Sequence, residues 1–295
     1  MSLLKPPRPF VLKNSEGLAR EIQKMCSVKI LHSTRDFVVA VKKAGVHSAP
    51  LKADDTDSAL ALIAQDFPQV LTVQGKKEVE GGLIHRIDYD TAGLLLFALN
   101  QNFYNHIMAC QEDGLFKKGY FARCHHESRC TELLGGFPPL PVSLDFSAHH
   151  QACSVESGFR AFGPGRKMVR PITEQSGKFS QRKAQGSKQG SNPVYSTELS
   201  ITKTHEKNFV VEASITKGYR HQVRCHLAWC NLPIVADPLY NPIIKPSESL
   251  FPAPTTSATS TEKSIQQMQF FATSLSFPAL HSNETLSFSI SPDEI

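Results

Sequence analysis

The stretch Leu83–Gly93, "LIHRIDYDTAG", runs directly into the apolar "LLLFAL" of Leu94–Leu99. His85, Arg86, Asp88 and Asp90 fall within six positions, and the charge then stops. An apolar run of this length after a glycine reads as a buried strand, so the charged cluster sits on the loop that enters it. A carboxylate held there can act as a nucleophile, a general base or a metal ligand. It can equally cap the turn that starts the strand. The cluster alone leaves both readings open.

Working outward, "FVVAV" (Phe37–Val41) reads as a strand that ends in the loop "KKAGVHSAP", punctuated by Gly45 and Pro50. After the Leu94–Leu99 strand, "NQNFYNHIMACQEDG" places Phe103, Ile107 and Cys110 at helical spacing, with Asn100 as N-cap and Gly114 as stop. "KGYFARC" (Lys118–Cys124) alternates like a strand, and "YSTELSITKT" and "NFVVEASITKG" flank a polar "HEK" as a hairpin. "RHQVRCHLAWC" (Arg220–Cys230) reads as an amphipathic helix, with Val223, Leu227 and Cys230 on one face and Arg220 and Arg224 forming a cationic stripe. "FFATSLSF" and "TLSFSISP" read as two closing strands. Residues 171–193 and 245–264 are polar and poor in anything to bury, and are expected to be mobile insertions.

The composition narrows the class. Among 295 residues, 40% are hydrophobic and 20% charged, and no apolar run approaches the roughly 18 residues of a membrane-spanning helix. Seven scattered cysteines, an odd number, point to reduced thiols in a cytoplasmic setting rather than a disulfide framework. The net charge of +5 permits an anionic partner. Seven basic residues against Glu174 alone between Arg166 and Lys188 concentrate that charge. A solvated linker explains such a segment as well as an arm for RNA does.

Four segments occur in a fixed order: "KKAGVHSAP", "GLIHRIDYDTAGLLLFALN", "KGYFARC" and "KGYRHQVRCHLAWCNLPIVADPLYN". In this the chain resembles the RluA family of RNA pseudouridine synthases, which carry an HRLD-type element before T-S/A-G and a hydrophobic strand. They also carry a K-x-Y strand, an H-Q-I-R-x-H-L helix and a D-P-L-Y turn. The resemblance spans Phe37 to Tyr240. It implies an α+β pseudouridine synthase fold, a mixed, largely antiparallel sheet with flanking helices and a central RNA-binding cleft. It implies isomerisation of uridine to pseudouridine in structured RNA, ribosomal or transfer, without cofactor or metal.

By position, the resemblance makes Asp88 the catalytic carboxylate, Arg224 its cationic partner and Tyr120 the ring that stacks on the target base. A carboxylate in a mostly buried site needs such a cation to stay ionised. The target must leave its stack to be reached. RNA contacts are then expected from His85, Arg86, Arg220, His221, Gln222 and Ile234, with Asp237 capping a turn. The departures are "GYR" for G-R-T, Lys43 for the proline of K-P-A-G, and "ADPLYN" for G-D-P-L-Y-G. Residues 1–36 are expected to be an extension too short for an S4-type domain, and 37–295 one catalytic domain, monomeric and away from membranes.

Two rivals follow from the same residues. A metal hydrolase could draw on Cys124, His125, His126 and Cys130 or on Cys225, His226 and Cys230, but the five-residue gap in the first set is wider than structural zinc pairing uses. A catalytically inactive RNA-binding protein of the same fold is the other, against which the retention of Asp88, Tyr120 and Arg224 counts.

Overall fold

The computed structural model describes residues 27–52, 55–140, 142–176, 193–242 and 267–295. Most of the two polar insertions, 177–192 and the whole of 245–264, and residues 1–26 of the expected extension lie outside the described residues. The elements, in chain order, are β1 (Val28–Ser33), β2 (Phe37–Lys42), α1 (Ala59–Asp66), β3 (Ala92–Ala98), α2 (Gln101–Glu112), β4 (Lys117–His125) and α3 (Cys130–Leu134). They continue with β5 (His150–Phe162), β6 (Met168–Ile172), β7 (Tyr195–His205), β8 (Asn208–Ile215), α4 (Gln222–Trp229), β9 (Phe270–Pro278) and β10 (Thr285–Ser289).

The strands form one sheet in the order β1-β2-β3-β9-β4-β8-β7-β5-β6, with β10 on β9. The β3–β9 pairing is parallel and the other pairings are antiparallel, the mixed, largely antiparallel sheet expected. β2 and β3 are buried along their whole length, because helices cover both of their faces. On one face α2 seats Phe103, Tyr104 and Ile107 against Val39, Leu94 and Leu96. On the other, Leu60 and Ile63 of α1 join Val38, Leu95 and Phe97. Each fully buried side chain of this size contributes about 1.5–3 kcal/mol, so the sandwiched strands anchor whatever loop leaves their ends.

Two details of β3 bear on the site. β2 and β3 pair from Phe37↔Ala98 to Lys42↔Gly93, so Lys42 lies at the end where the Asp88 loop enters. Gly93 sits where β3 meets β9, and any Cβ there would run into the Ala272 backbone. Its φ of +129° adds a second reason for glycine in "TAG".

The structure corrects two expectations and adds two strands. β1 falls inside the stretch 1–36 set apart as an extension and pairs with β2. Its edge position leaves it mostly exposed, which hides it from hydrophobic patterning. β5 and β6 were not foreseen. β5 is rich in polar residues yet runs 13 residues, pairing with β7 along its first part and β6 along its last. Finally, α4 is not amphipathic: all eight of its residues are buried, and Arg220 precedes it on an exposed turn instead of sharing a stripe with Arg224. A helix buried all round carries Arg224 only if the charge is paired inside.

Candidate active site

A cleft of about 900 Å³ opens on the sheet face that α4 covers, with Asp88, Tyr120, His221, Arg224, Arg86 and Tyr219 among its lining residues. Its apolar side includes Leu83, Ile215, Val223 and Phe270. Three segments far apart in sequence meet here: the loop before β3, the core-facing side of β4, and the N-terminal turn of α4.

The loop before β3 is held by the loop before α1. Ser48 donates its Oγ–H to the Ile87 carbonyl (2.7 Å) and accepts from the Ile87 amide (3.1 Å), both buried. Gly45 N–H donates to Tyr89 O at 2.8 Å. Lys42 is fully buried beneath this junction and donates to the carbonyls of Val46 (2.8 Å), Lys43 (2.9 Å) and Tyr89 (3.4 Å). Burial pulls its ammonium down to about 7, against the raising pull of Asp88 and Asp90. Three carbonyl acceptors match the three N–H bonds of an ammonium, which favours the charged form. A lysine at the end of an apolar strand reads in sequence as a solvated terminus, which is why this support was not foreseen.

Arg224 binds two carboxylates at once. Its Nη1 donates to Asp88 Oδ2 at 2.7 Å, while Nε and Nη2 donate to the two oxygens of Asp237, each at 2.8 Å. Burial disfavours the guanidinium's charge, but Asp237 and Asp88 outweigh it and hold the group more firmly protonated than a free arginine. Asp237 also accepts from Leu239 N–H (2.9 Å) and Tyr240 N–H (3.0 Å), so it caps the turn as expected. Its second task, fixing the arginine that faces Asp88, was not legible in the sequence. Tyr240 packs its ring on the guanidinium, with the Arg224 Cζ 5.4 Å from the ring centroid. The Asp88 side chain, in contrast to its partners, remains a quarter exposed, open to a ligand in the cleft.

Tyr120 faces the same cleft from β4 and stacks on Phe270, with centroids 5.3 Å apart and planes 10° from parallel. Burial and the neighbouring Asp88 push its phenol well above the ordinary tyrosine range, so it is a neutral hydroxyl at any working pH. Asp90 has no hydrogen bond or ion pair of its own among the described contacts and acts on Lys42 only through charge.

The expected RNA contacts divide. Arg86 stands at the cleft mouth, its side chain more than half exposed and paired with Glu80 Oε1 at 3.2 Å. Arg220 is exposed, but its Nη2 caps the carbonyls of Arg166 (2.9 Å) and Met168 (3.1 Å) and so ties down the turn before β6. His85, His221 and Gln222 also line the cleft, with surroundings the sequence did not show, and Ile234 does not line it. His85 has both ring nitrogens buried without a partner, and burial, with Lys118 nearby, lowers it to about 3, so it is neutral and turned inward. His221 sits between Tyr240 Oη (3.2 Å from Nδ1) and Asp88 Oδ1 (3.7 Å from Nε2), beside the carboxylate rather than toward solvent. Gln222 is consumed by Ser196 O, Thr197 Oγ1 and Tyr219 N. Ile234 is wholly buried in the core that includes Cys124 and Leu232, away from the cleft lining.

The metal rival loses its ligands to the fold. His226 hydrogen-bonds Ser157 (2.9 Å) and Thr197 (2.8 Å) through its two nitrogens, and Cys225 Sγ contacts Val169 O at 3.5 Å. Among the described residues no cluster of three or more metal-ligating side chains occurs.

Comparison with known proteins adds to this geometry. Residues 36–229 match the family model described as RNA pseudouridylate synthase. An uncharacterized RNA pseudouridine synthase of Mycoplasma pneumoniae is 23% identical over 213 residues, covering 72% of this chain and 54% of the relative. This chain thus spans about half of that relative's length. The dual-specificity RNA pseudouridine synthase of Vibrio cholerae is 24% identical over 216 residues, covering 73% of this chain and 69% of its own. The solved structure of human RNA pseudouridylate synthase domain containing 1 superposes with a TM-score of 0.55 at 16% identity, over 90% of this chain and 84% of that one. The likeness to the human structure is one of fold.

Proposed function

The chain belongs to the RNA pseudouridylate synthase family, matching it over residues 36–229, and from this we propose that it isomerises uridine to pseudouridine in structured RNA, ribosomal or transfer. The observation that carries the reading is the Arg224–Asp88 contact of 2.7 Å at the floor of the cleft, with Tyr120 beside it. Of the two carboxylates on Arg224, Asp237 is sealed and Asp88 is open, so Asp88 is the one that can meet a substrate.

The reaction breaks the C1′–N1 bond, turns the detached uracil and joins C5 to C1′, with the C5 proton lost and N1 gaining one. Atoms balance without an oxidant or reductant. Asp88 supplies the essential carboxylate. Arg224 holds it in place and faces it with a cation, since a bidentate grip by Asp237 leaves only one guanidinium edge free for Asp88. The target nucleotide leaves its stack to enter the cleft, with its base against the Tyr120 ring and Arg86 at the mouth to meet the strand it left. His221 orients the second oxygen of Asp88, and the loop before α1 fixes the backbone that carries it.

The test is tritium release from RNA labelled with [5-³H]uridine, prepared from cells lacking the protein. Wild type is expected to release tritium, Asp88→Asn to release none while folded, and Asp90→Asn to keep activity. Failure of the wild type on total RNA, or an active Asp88→Asn, would refute the assignment.

A further inference from the structure

Tyr219 stands where the resembling family carries the arginine of G-R-T, and its surroundings give that replacement a purpose. The residue is 37% exposed and lines the cleft that holds Asp88. Its ring stacks on Phe159 with centroids 5.1 Å apart and planes 11° from parallel. Tyr195 meets it at 5.2 Å, tilted 57°, and Phe159 and Tyr195 are themselves 5.8 Å apart. The three rings thus form one compact aromatic cluster, with Tyr219 at its cleft side. Beyond these two rings Tyr219 has no further ring or cation partner among the described contacts, and it is partly exposed.

The backbone beneath the ring is equally fixed. Tyr219 N–H donates to Gln222 Oε1 at 2.9 Å, and Tyr219 O accepts from Gln222 N–H at 3.1 Å. Gln222 is in turn anchored on Ser196 and Thr197. Arg220 is drawn off toward the Arg166 and Met168 carbonyls and does not cover the ring. The result is a packed aromatic ring that is still partly exposed to the cleft, ordered before any ligand arrives. Tyr219 lies two positions before His221, whose Nε2 is 3.7 Å from Asp88 Oδ1. Two positions of chain span at most about 7 Å, so the Tyr219 backbone stays near that carboxylate, and both side chains line the same cleft.

We propose that Tyr219 is a stacking subsite for an unpaired nucleobase of the substrate RNA, the one next to the uridine that enters the cleft. The proposal rests on the RNA reading given above. Removing one nucleotide from its stack leaves its neighbour's face uncovered, and a tyrosine plane can replace the lost contact without selecting among bases. Because the Phe159 and Tyr195 packing has already ordered the side chain, little entropy opposes the stack. The subsite favours binding and leaves the chemical step to Asp88.

The experiment compares wild type, Tyr219→Leu and Tyr219→Phe on total RNA from cells lacking the protein, by tritium release at limiting and saturating RNA. Tyr219→Leu is expected to raise KM roughly ten-fold with kcat unchanged, as loss of one base–aromatic stack does. Tyr219→Phe keeps the plane and is expected to match wild type at both concentrations. An unchanged KM in Tyr219→Leu overturns the proposal. So does a fall in kcat alone, which would mean disturbed packing, or an equal defect in Tyr219→Phe, which would assign the effect to the hydroxyl. If wild type releases no tritium, the functional reading fails and the subsite is judged by filter binding of the same RNA. Its affinity must then weaken in Tyr219→Leu alone, and equal affinities overturn it.

Discussion

Replacing Arg224 by methionine separates what this arginine does for the fold from what it does for the site. Methionine fills the space of the aliphatic stem but offers no donor. It leaves Asp237, whose side chain has no exposed surface, with two backbone N–H groups and no cation. Breaking a buried pair in this way costs about 3–5 kcal/mol, because the remaining charge stays desolvated. The Asp88 bond adds little to this loss: that side chain is a quarter exposed, and such pairs contribute about 1 kcal/mol or less. Arg224→Met should therefore melt on the order of 10 °C below wild type. It should also be inactive.

The double variant Arg224→Met with Asp237→Asn removes the stranded charge, while the amide oxygen of the new side chain still accepts from the Leu239 and Tyr240 N–H groups. It should recover to within about 2 kcal/mol of wild type, the amide N–H₂ being the remaining unpaired group. Activity should not return, because Asp88 still lacks its cation. Thermal unfolding, read with tritium release, measures both sides of this cycle. Two results would refute the reasoning. One is a single variant as stable as wild type, which would mean that Asp237 does not depend on the arginine. The other is a double variant that turns over RNA.

The remaining expectations are shorter. His85 and His226 are both lowered to about 3 by burial, so between pH 6.5 and 3 the unfolded chain binds protons that the folded one does not. Stability then falls as pH falls below 6.5, by about 1.5 kcal/mol for each histidine between pH 6.5 and 5, where carboxylates contribute little. His126 and His221, also lowered by burial, add to this slope, so urea titrations should show it reduced but not abolished in His85→Leu, and an unaltered slope would mean that His85 is charged in the folded state. That variant also removes two buried nitrogens without partners, and its affinity for RNA should equal wild type. Lys42→Met takes a donor from the carbonyls of Lys43, Val46 and Tyr89. It should cost about 2 kcal/mol and lower kcat more than KM by loosening the Asp88 loop, whereas an unchanged kcat would free that loop from Lys42. Ala236 has φ +59°, a conformation that suits glycine, so Ala236→Gly should be neutral or up to about 1 kcal/mol more stable. A clear loss of melting temperature would contradict that.

Much of the architecture was legible in the sequence because it obeys local rules. The alternation of "KGYFARC", the Asn100 cap of α2 and the apolar runs of β2 and β3 are short-range patterns, and each reappears as an element with nearly the expected bounds. The motif order put Asp88, Tyr120 and Arg224 in one site, and the three do line one cleft. What failed had a common cause. β1 at the sheet edge and the polar β5 owe their strand state to partners distant in sequence, which periodicity does not register. The helix α4 looked amphipathic because Arg224 reads as a surface residue until Asp237 and Asp88 are brought to it.

The sequence by itself determined the catalytic candidates and the elements that carry them, since side-chain chemistry and backbone periodicity are written residue by residue. Only the tertiary structure decided which charge faces the cleft and which is sealed behind it. Asp88 and Asp237 are both aspartates on turns; the motif order assigns them different roles, but neither their unequal burial nor the partner they share is written in it. Their difference comes from burial and from the single arginine they share, 136 and 13 positions away. The same holds for Ile234, which the motif placed near RNA and the packing turned inward, for Gln222, fixed by Ser196 and Thr197 at the cleft wall, and for Tyr219, left exposed on a stack of rings that no local pattern announces.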